Sequence, residues 1–354
     1  MVSLDGPLGQ MKPGLTVELE YDIPEKVWYF DVNGYPTMPW CVFMEVVLQG
    51  CGWLAIGLGS VWSTETDLMF RNLDGTGTLK REILPTSGTL RLKIKVTSCS
   101  RSGGMEIQNF ETSCYIGDEC VYTMDTVFGF FPKEAFENQA GLPVKEEQKV
   151  RAFEPANQVI DLTSSPAKYC SGSLRLAGPL LRMLDRIHGY WPEGGKKGLG
   201  YVRGEKDINP SEWFFKAHFF RDPVQPGSLG HEAFVQLVQF LMIEKGMGEG
   251  IPNARFEPIM LDRKLWWRYR GQITPKNQML TTEIEVTEIG RDEKGPFAVA
   301  DCWLWADGKC IYQAKNLGMR IVPGDAPVRA VGPTVVESEL DPETQPWIKE
   351  HCPT

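Results

Sequence analysis

The sequence lacks the signals of several common protein classes. Its 9 cysteines include no C-x-x-C pair and no metal-finger spacing, and there is no H-E-x-x-H motif, so we expect no zinc site. The glycine-rich stretch at residues 194–198 does not have the frame of a P-loop. Neither a dinucleotide fingerprint nor a G-x-S-x-G nucleophile elbow is present. The familiar nucleotide-binding and serine-hydrolase classes are therefore not indicated.

Charge and hydropathy narrow the choice further. The 354 residues carry a net charge of −9, which argues against a nucleic-acid surface. No apolar run in the sequence approaches membrane-spanning length, and the first 14 residues contain no apolar leader core. Four cysteines lie in apolar segments, where buried free thiols are common; they are Cys41, Cys51, Cys302 and Cys310. We therefore expect a cytoplasmic protein with reduced thiols and no membrane span.

What the sequence does contain is a duplicated unit. Residues 28–30 and 213–215 are aromatic triplets, and each is followed by a proline that begins an apolar run. In both copies a glutamate comes 6 residues after that proline, and a glutamine comes 4 residues after the glutamate. These pairs are Glu45 with Gln49 and Glu232 with Gln236. Only the second copy carries a histidine near its aromatic triplet, which is His218.

The repeat predicts two copies of one α+β unit. Each apolar run predicts a central helix, with glycines at 50–52 and 246–248 as its expected end. Alternating strands follow at 89–97 and 281–287, and then a hairpin in each copy. The simplest packing of these elements is a helix wrapped by a sheet. Each unit contributes a preceding strand, a proline-rich turn, one apolar helix and several long antiparallel strands. The expected divisions are a first domain at 1–131, a linker at 132–172, a second domain at 173–323 and a tail at 324–354.

Two acids and one histidine are the candidates for chemistry. Glu45 and Glu232 each lie in apolar surroundings, where burial raises the pKa of a carboxyl and keeps it protonated as a general acid. The alternative is that each lies on a polar stripe of its helix, although the repetition favours the first interpretation. If residues 216–220 are extended, His218 shares a face with Lys216, and it is the best candidate base. His231 is a weaker one, since helix geometry turns it away from the Glu232 side.

The turn at residues 222–227 contains two prolines and leads into the second helix. Gly227 permits a close approach of the backbone, and the helix N-terminus presents free N–H groups that suit a developing oxyanion. The alternative is a turn that only shapes the fold.

Several of these motifs together resemble the bacterial β-hydroxydecanoyl-ACP dehydratase family, over roughly residues 180–322. The resemblance rests on residues 207–210, 213–215, 218–219, 222–224 and 226–230, with weaker support at 184–187, 271–272 and Tyr312. The tandem arrangement, including residues 70–77, is similar to the dehydratase region of polyunsaturated fatty acid synthases.

The resemblance implies a double hot-dog fold and dehydration of 3-hydroxyacyl thioesters carried on the phosphopantetheine of an acyl carrier protein. The family's catalytic histidine matches His218, and its catalytic aspartate matches Glu232, which is one methylene longer. The expected substrate-binding residues are Gly227, Val224, Phe219, Gln49 and Gln236. No resident cofactor and no metal are expected, and the partners are an acyl carrier protein and other modules of a fatty acid or polyketide multienzyme.

The family is a dimer that shares each active site between subunits. In a fused pair this geometry predicts that His218 faces Glu45 rather than Glu232. Glu232 would then meet Asn33 or Asp31 in a second site that lacks histidine and is inactive. Pairing of His218 with Glu232 remains the alternative.

Other functions stay open on the sequence alone. A hot-dog thioesterase uses a helix acid and water, and a pseudo-dehydratase would only bind the acyl carrier. Double-bond isomerisation is a further activity of a family relative. The fused pair is compatible with a monomer, and a chain cut from a larger polypeptide is a further possibility.

Overall fold

The computed structural model describes residues 1–32, 35–60, 67–137, 139–219 and 221–324, which contain a 14-stranded antiparallel sheet and seven helices. The strands are β1 (Ser3–Asp5), β2 (Thr16–Asp22), β3 (Leu68–Leu79), β4 (Thr89–Ser102), β5 (Met105–Ile116), β6 (Glu119–Pro132), β7 (Val159–Asp161), β8 (Arg186–Trp191), β9 (Tyr201–Asp207), β10 (Arg255–Phe256), β11 (Leu265–Tyr269), β12 (Met279–Arg291), β13 (Pro296–Ala306) and β14 (Lys309–Val322). The helices are α1 (Trp28–Asp31), α2 (Trp40–Gly57), α3 (Glu134–Glu137), α4 (Glu146–Phe153), α5 (Ala167–Cys170), α6 (Trp213–Ala217) and α7 (Gly227–Glu244).

The sheet runs without a break through both copies of the repeat. Its strand order is β1-β2-β4-β5-β6-β3 in the first copy, continued by β11-β14-β13-β12-β9-β8-β7 in the second, with β10 paired to β14. The junction is the antiparallel pairing of β3 with β11, in which Trp267 lies opposite Gly75. A Cβ atom at Gly75 would come within 2.1 Å of the Trp267 ring, so this close junction requires glycine.

Each copy wraps its part of the sheet around one long apolar helix, α2 in the first and α7 in the second. The two helices also contact each other, and the Nδ1 atom of His231 lies 2.9 Å from the Sδ atom of Met44 across this contact. Trp28 and Trp213, which begin the two aromatic triplets, meet edge to face with their ring centroids 5.6 Å apart. The predicted double hot-dog fold is confirmed.

Helix α2 is longer than the sequence pattern predicted. It continues through residues 50–52 and ends at Gly57, so the predicted end at these glycines is wrong. Gly50 is needed for packing rather than for termination, because a Cβ atom there would lie 2.5 Å from a side-chain carbon of Ile94. Helix α7 ends at Glu244 and is followed by Gly246 at φ 62°, as expected of a helix-terminating glycine.

Two other segments also differ from the prediction. The aromatic triplets begin the one-turn helices α1 and α6 rather than extended strands, so the side-chain faces inferred for His218 from an extended chain do not apply. The predicted linker contains α3, α4, α5 and β7, and β7 adds a strand to the second half by pairing with β8. Most of the predicted tail, residues 325–354, lies outside the described residues.

The length of α2 also bears on the expectation that no segment spans a membrane. By length and composition alone, this helix qualifies as a candidate membrane span, the single one among the described residues, but a buried core helix passes the same test. It lies against the sheet and α7, and 56% of it is buried inside the protein.

Candidate active site

A cavity of about 440 Å³ lies between the two halves of the chain, within the size range of small-molecule sites. It brings together His218 and Glu45 from different halves. Of the predicted substrate-binding residues, it is lined by Gly227, Val224, Phe219 and Gln49. The other lining residues are Met44, Leu48, Gly52, Ile56, Leu68, Phe70, Arg71, Asn72, Phe128, Phe130, Gln225, Ser228, Tyr269, Gln272 and Tyr312.

His218 caps the C-terminal end of α6 and has a defined tautomer. Its Nδ1 atom lies 3.0 Å from the carbonyl oxygen of Val224. Because a carbonyl only accepts hydrogen bonds, Nδ1 donates the proton and Nε2 keeps a free lone pair. Burial lowers the pKa of His218 to about 4; the Val224 hydrogen bond opposes this shift and the charge of Arg71 adds to it. At neutral pH, His218 is therefore an uncharged base.

Glu45 lies on the face of α2 that borders the cavity. Burial raises the pKa of its carboxyl above the ordinary value, while the neighbouring Ser228 hydroxyl opposes part of the shift. Glu45 keeps some accessible surface because it faces the cavity, but the surrounding protein desolvates it. A carboxyl with a raised pKa opposite a histidine with a lowered pKa can serve as an acid and base pair.

Arg71, on β3, joins the two halves at the cavity wall. Its Nη1 and Nη2 atoms donate to the two carboxylate oxygens of Asp222 at 2.6 and 2.9 Å, and Nη2 also donates to Oε1 of Gln272 at 2.8 Å. Asp222 belongs to the turn that follows His218. The guanidinium is 5.0 Å from the ring centroid of Phe136 and 5.9 Å from that of Phe219. Arg71 thereby ties the histidine-bearing loop to the first half.

Helix α7 begins at Gly227, and both Gly227 and Ser228 line the cavity. The first N–H groups of a helix have no acceptor within it. They therefore form a site for a developing negative charge, close to the histidine and the acid.

Glu232 and Gln236 lie elsewhere on α7, and Glu232 faces residues of the first half such as Tyr35 and Trp40. Glu232 borders a separate polar cavity of about 30 Å³. Gln236 donates to Oε1 of Glu232 at 2.8 Å and to the Leu181 carbonyl oxygen at 2.7 Å, and its Oε1 atom accepts from the Met183 amide at 2.9 Å. The structure thus places Gln236 in a structural hydrogen-bond network rather than at the substrate cavity. Burial raises the pKa of Glu232 as well.

The second site agrees with the prediction only in part. The described residues that line the Glu232 cavity include no histidine, which is what the sequence predicted, but they do not include Asp31 either, and Asn33 lies outside the described residues. His231 is fully buried; its Nε2 atom is 3.2 Å from the Tyr312 hydroxyl. Burial lowers the pKa of His231 to about 3. It is a core residue between the helices and borders neither cavity.

Sequence reasoning missed Arg71, Tyr269 and the contact of Gln272 with Arg71. An arginine followed by an alternating strand looks like a surface residue. The only available signal was the resemblance of residues 70–77 to synthase dehydratase regions. In the part of the chain that the structure describes, no group of three or more metal-ligating side chains is found.

The fold and the cavity between the two halves indicate a class of protein. A family model for the FabA-like domain matches residues 7–125 and again 176–315, which together cover most of the chain. The chain belongs to the FabA-like domain family, and it contains two copies of that domain.

Comparison with individual proteins is consistent with this family. The chain is 34% identical over 331 residues to a polyunsaturated fatty acid synthase subunit of Thraustochytrium sp. (strain ATCC 26185 / S-3), covering 86% of this chain and 21% of that protein. It therefore spans about a fifth of its relative. An inactive mutant of the CurJ dehydratase in complex with Compound 21 superposes with a TM-score of 0.50 at 12% identity, over 88% of this chain and 93% of that one. For the dehydratase domain from the CurJ module of Curacin polyketide synthase, the TM-score is 0.48 at 13% identity, with the same coverages of 88% and 93%.

Proposed function

We propose that this chain is a 3-hydroxyacyl thioester dehydratase that releases water and forms the trans-2-enoyl product. The observation that carries the proposal is the meeting of His218 and Glu45 in one cavity between the halves, with a lowered histidine pKa and a raised carboxyl pKa. Membership of the FabA-like family and the 34% identity to a polyunsaturated fatty acid synthase subunit support the same reaction.

In the proposed mechanism, Nε2 of neutral His218 takes the α-proton of the substrate. The electron pair moves toward the thioester carbonyl, and the N–H groups at Gly227 and Ser228 stabilise the enolate oxygen. The pair then returns to form the double bond, the bond to the 3-hydroxyl breaks, and the Glu45 proton leaves with the hydroxyl as water. A proton returns from His218 to Glu45 through solvent after product release. Each positioned proton transfer contributes about 10²–10⁴-fold, and an oxyanion donor about 10²–10³-fold.

The proposed substrate is carried on the phosphopantetheine arm of an acyl carrier protein, so the chain itself needs no resident cofactor. The named relative is a synthase subunit about five times longer than the matched region, which supports a setting beside other modules of a multienzyme. The eight cysteines among the described residues are free thiols, which supports a reducing, cytoplasmic location. Double-bond isomerisation by the same pair is an extension of this proposal; because the trans-2 and cis-3 isomers have the same mass, its test is chromatographic separation of the two.

The test is hydration of a short trans-2-enoyl thioester by the purified chain, followed by mass spectrometry. We expect a 3-hydroxyacyl product from the wild type and at least a hundredfold slower reaction from His218→Ala. His188→Ala is the matched control, because His188 lies on β8 beside Glu205 and away from the cavity. Free acid would instead indicate a thioesterase, and no reaction at any chain length would indicate a pseudo-dehydratase that only binds the carrier.

A further inference from the structure

The active-site cavity has one polar end and one apolar arm. Near His218 it is lined by the polar side chains of Arg71 and Gln272. Away from them, it follows one face of α2, where residues 45, 48, 49, 52 and 56 recur at helical spacing. Beyond Gln49 the wall is made only of apolar residues and glycine. These are Gly52, Ile56, Leu68, Phe70, Phe128 and Phe130.

From this asymmetry we propose that the α2 arm holds the acyl chain of the substrate and that the absence of a side chain at Gly52 lets long chains enter. This inference rests on the dehydratase function proposed above. A pantetheine arm in the same place would bury two amides without partners, at a cost of about 1–3 kcal/mol for each unpaired group. The polar end suits those amides, and the apolar arm suits methylenes. Phe70 and Phe128 stack at 4.6 Å and form a flat wall for the arm.

Packing explains Gly52 less well than it explains Gly50. Glycine within a helix is less stable than alanine by about 1 kcal/mol, so its presence calls for an explanation. At Gly50 the explanation is close packing, since a Cβ atom would lie 2.5 Å from Ile94. At Gly52 the nearest atom to an added Cβ would be a ring carbon of Phe70 at 3.3 Å, a contact that a small shift of the ring would relieve. Gly52 and Phe70 are neighbours and both line the arm, so a longer side chain at position 52 would take up space in the arm beside Phe70.

The geometry of α2 gives the acyl chain length at which a side chain at position 52 would block the arm. From Glu45 to Gly52, α2 advances about 10 Å at ~1.5 Å per residue. An extended carbon chain with bonds of ~1.5 Å advances ~1.3 Å per carbon, so the block falls about eight carbons from the reacting centre. Ile56 is 47% exposed, so the arm reaches the surface there, and longer chains can pass beyond it in the wild type.

The test compares hydration of trans-2-enoyl thioesters with 6 and about 16 carbons by the wild type, Gly52→Ala and Gly52→Leu. We expect the ratio of long-chain to short-chain kcat/KM to fall at least tenfold in Gly52→Leu and less in Gly52→Ala. Gly57→Ala is the control: it makes the same change in the same helix, its Cβ atom would meet Leu8 at an ordinary 3.4 Å, and it does not line the cavity. It should leave the ratio unchanged.

Two outcomes would overturn the proposal. An equal loss of activity at both lengths would mean that the arm holds the pantetheine, and an unchanged ratio in folded Gly52→Leu would mean that no substrate group enters it. If the wild type has no hydratase activity, the dehydratase proposal fails on its own. The arm is then tested by calorimetric binding of non-hydrolysable acyl-pantetheine amides of the two lengths, where Gly52→Leu should weaken only the longer ligand.

Discussion

The two halves place the same helix acid in opposite settings. Glu45 borders a cavity of about 440 Å³ together with His218. Glu232 borders a cavity of about 30 Å³ and accepts a hydrogen bond from Gln236. Burial raises the pKa of both carboxyls. A desolvated carboxyl with a raised pKa is therefore common to both halves, and the space beside it and the facing base distinguish the candidate active site.

Each cavity has a largely buried arginine paired with a carboxylate, and the two pairs come from different positions of the repeat. Asp222 and Tyr35 occupy equivalent places, 187 residues apart like the two helix-initiating prolines, and Gln272 and Glu82 are equivalent at a spacing of 190. In the large cavity Arg71 pairs with Asp222 and reaches Gln272. In the small one, Arg255 pairs with Glu82 at 2.6 and 2.8 Å, with its guanidinium 3.8 Å from the Tyr35 ring centroid. The carboxylate that pairs with the arginine therefore lies at a different position of the repeat in each copy, and so does the arginine.

The largest expected difference between the halves is in activity. Glu45→Gln removes the proposed acid and should slow hydration by about 10²–10⁴-fold, whereas Glu232→Gln should leave the rate within a few-fold. Both variants replace a buried glutamate with an isosteric amide, so folding effects are comparable. The measurement is kcat/KM on a short enoyl thioester, with the unfolding transition recorded for each. A larger loss in Glu232→Gln would reassign the acid to the second half.

The pH profile should show the lowered pKa of His218. Dehydration uses neutral His218 and protonated Glu45, and hydration uses protonated His218 and ionised Glu45. Both states carry one proton on the pair, so in either direction the rate is highest above the pKa of the histidine and below the raised pKa of the glutamate. Because the pKa of His218 is about 4, kcat/KM should not fall on going down through pH 6.5 and should fall tenfold per pH unit only below about pH 4. The experiment is a rate profile in buffers of constant ionic strength. A falling limb centred near 6.5 would contradict the burial of His218.

Substitution of Arg71 and of Arg255 should have similar effects on stability but different effects on the pH profile. Arg71→Met and Arg255→Met each leave a largely buried carboxylate without its partner, and each should cost about 3–5 kcal/mol of unfolding free energy. Burial is the main cause of the lowered pKa of His218, and of the two arginines Arg71 alone adds to it, so only Arg71→Met should move the acidic limb of the rate profile to higher pH. Denaturant unfolding and the pH profile are measured for both. A similar displacement of the limb in both variants would mean that Arg71 has no special relation to His218.

Sequence reasoning reached the duplicated helices and the hairpins because these depend on local spacing. The turns at Gly117 and Gly308 and the apolar runs of α2 and α7 appear where their periodicity indicates. The continuation of α2 past Gly50 was missed because a glycine required by Ile94 looks the same in sequence as one that ends a helix. Arg71 was missed because its partner Asp222 is 151 residues away, and such pairings leave no local pattern.

The smallest contrast concerns the two equivalent glutamines. Gln236 makes three buried hydrogen bonds, to Glu232, Leu181 and Met183, and its loss leaves those groups unpaired at about 1–3 kcal/mol each. Gln236→Ala should therefore lower the denaturant midpoint clearly. Gln49 is exposed and lines the cavity, so Gln49→Ala should change stability by less than about 0.5 kcal/mol while raising KM a few-fold. If Gln236→Ala instead raised KM without loss of stability, the small cavity would communicate with the large one, and the division of roles between the two halves would fail.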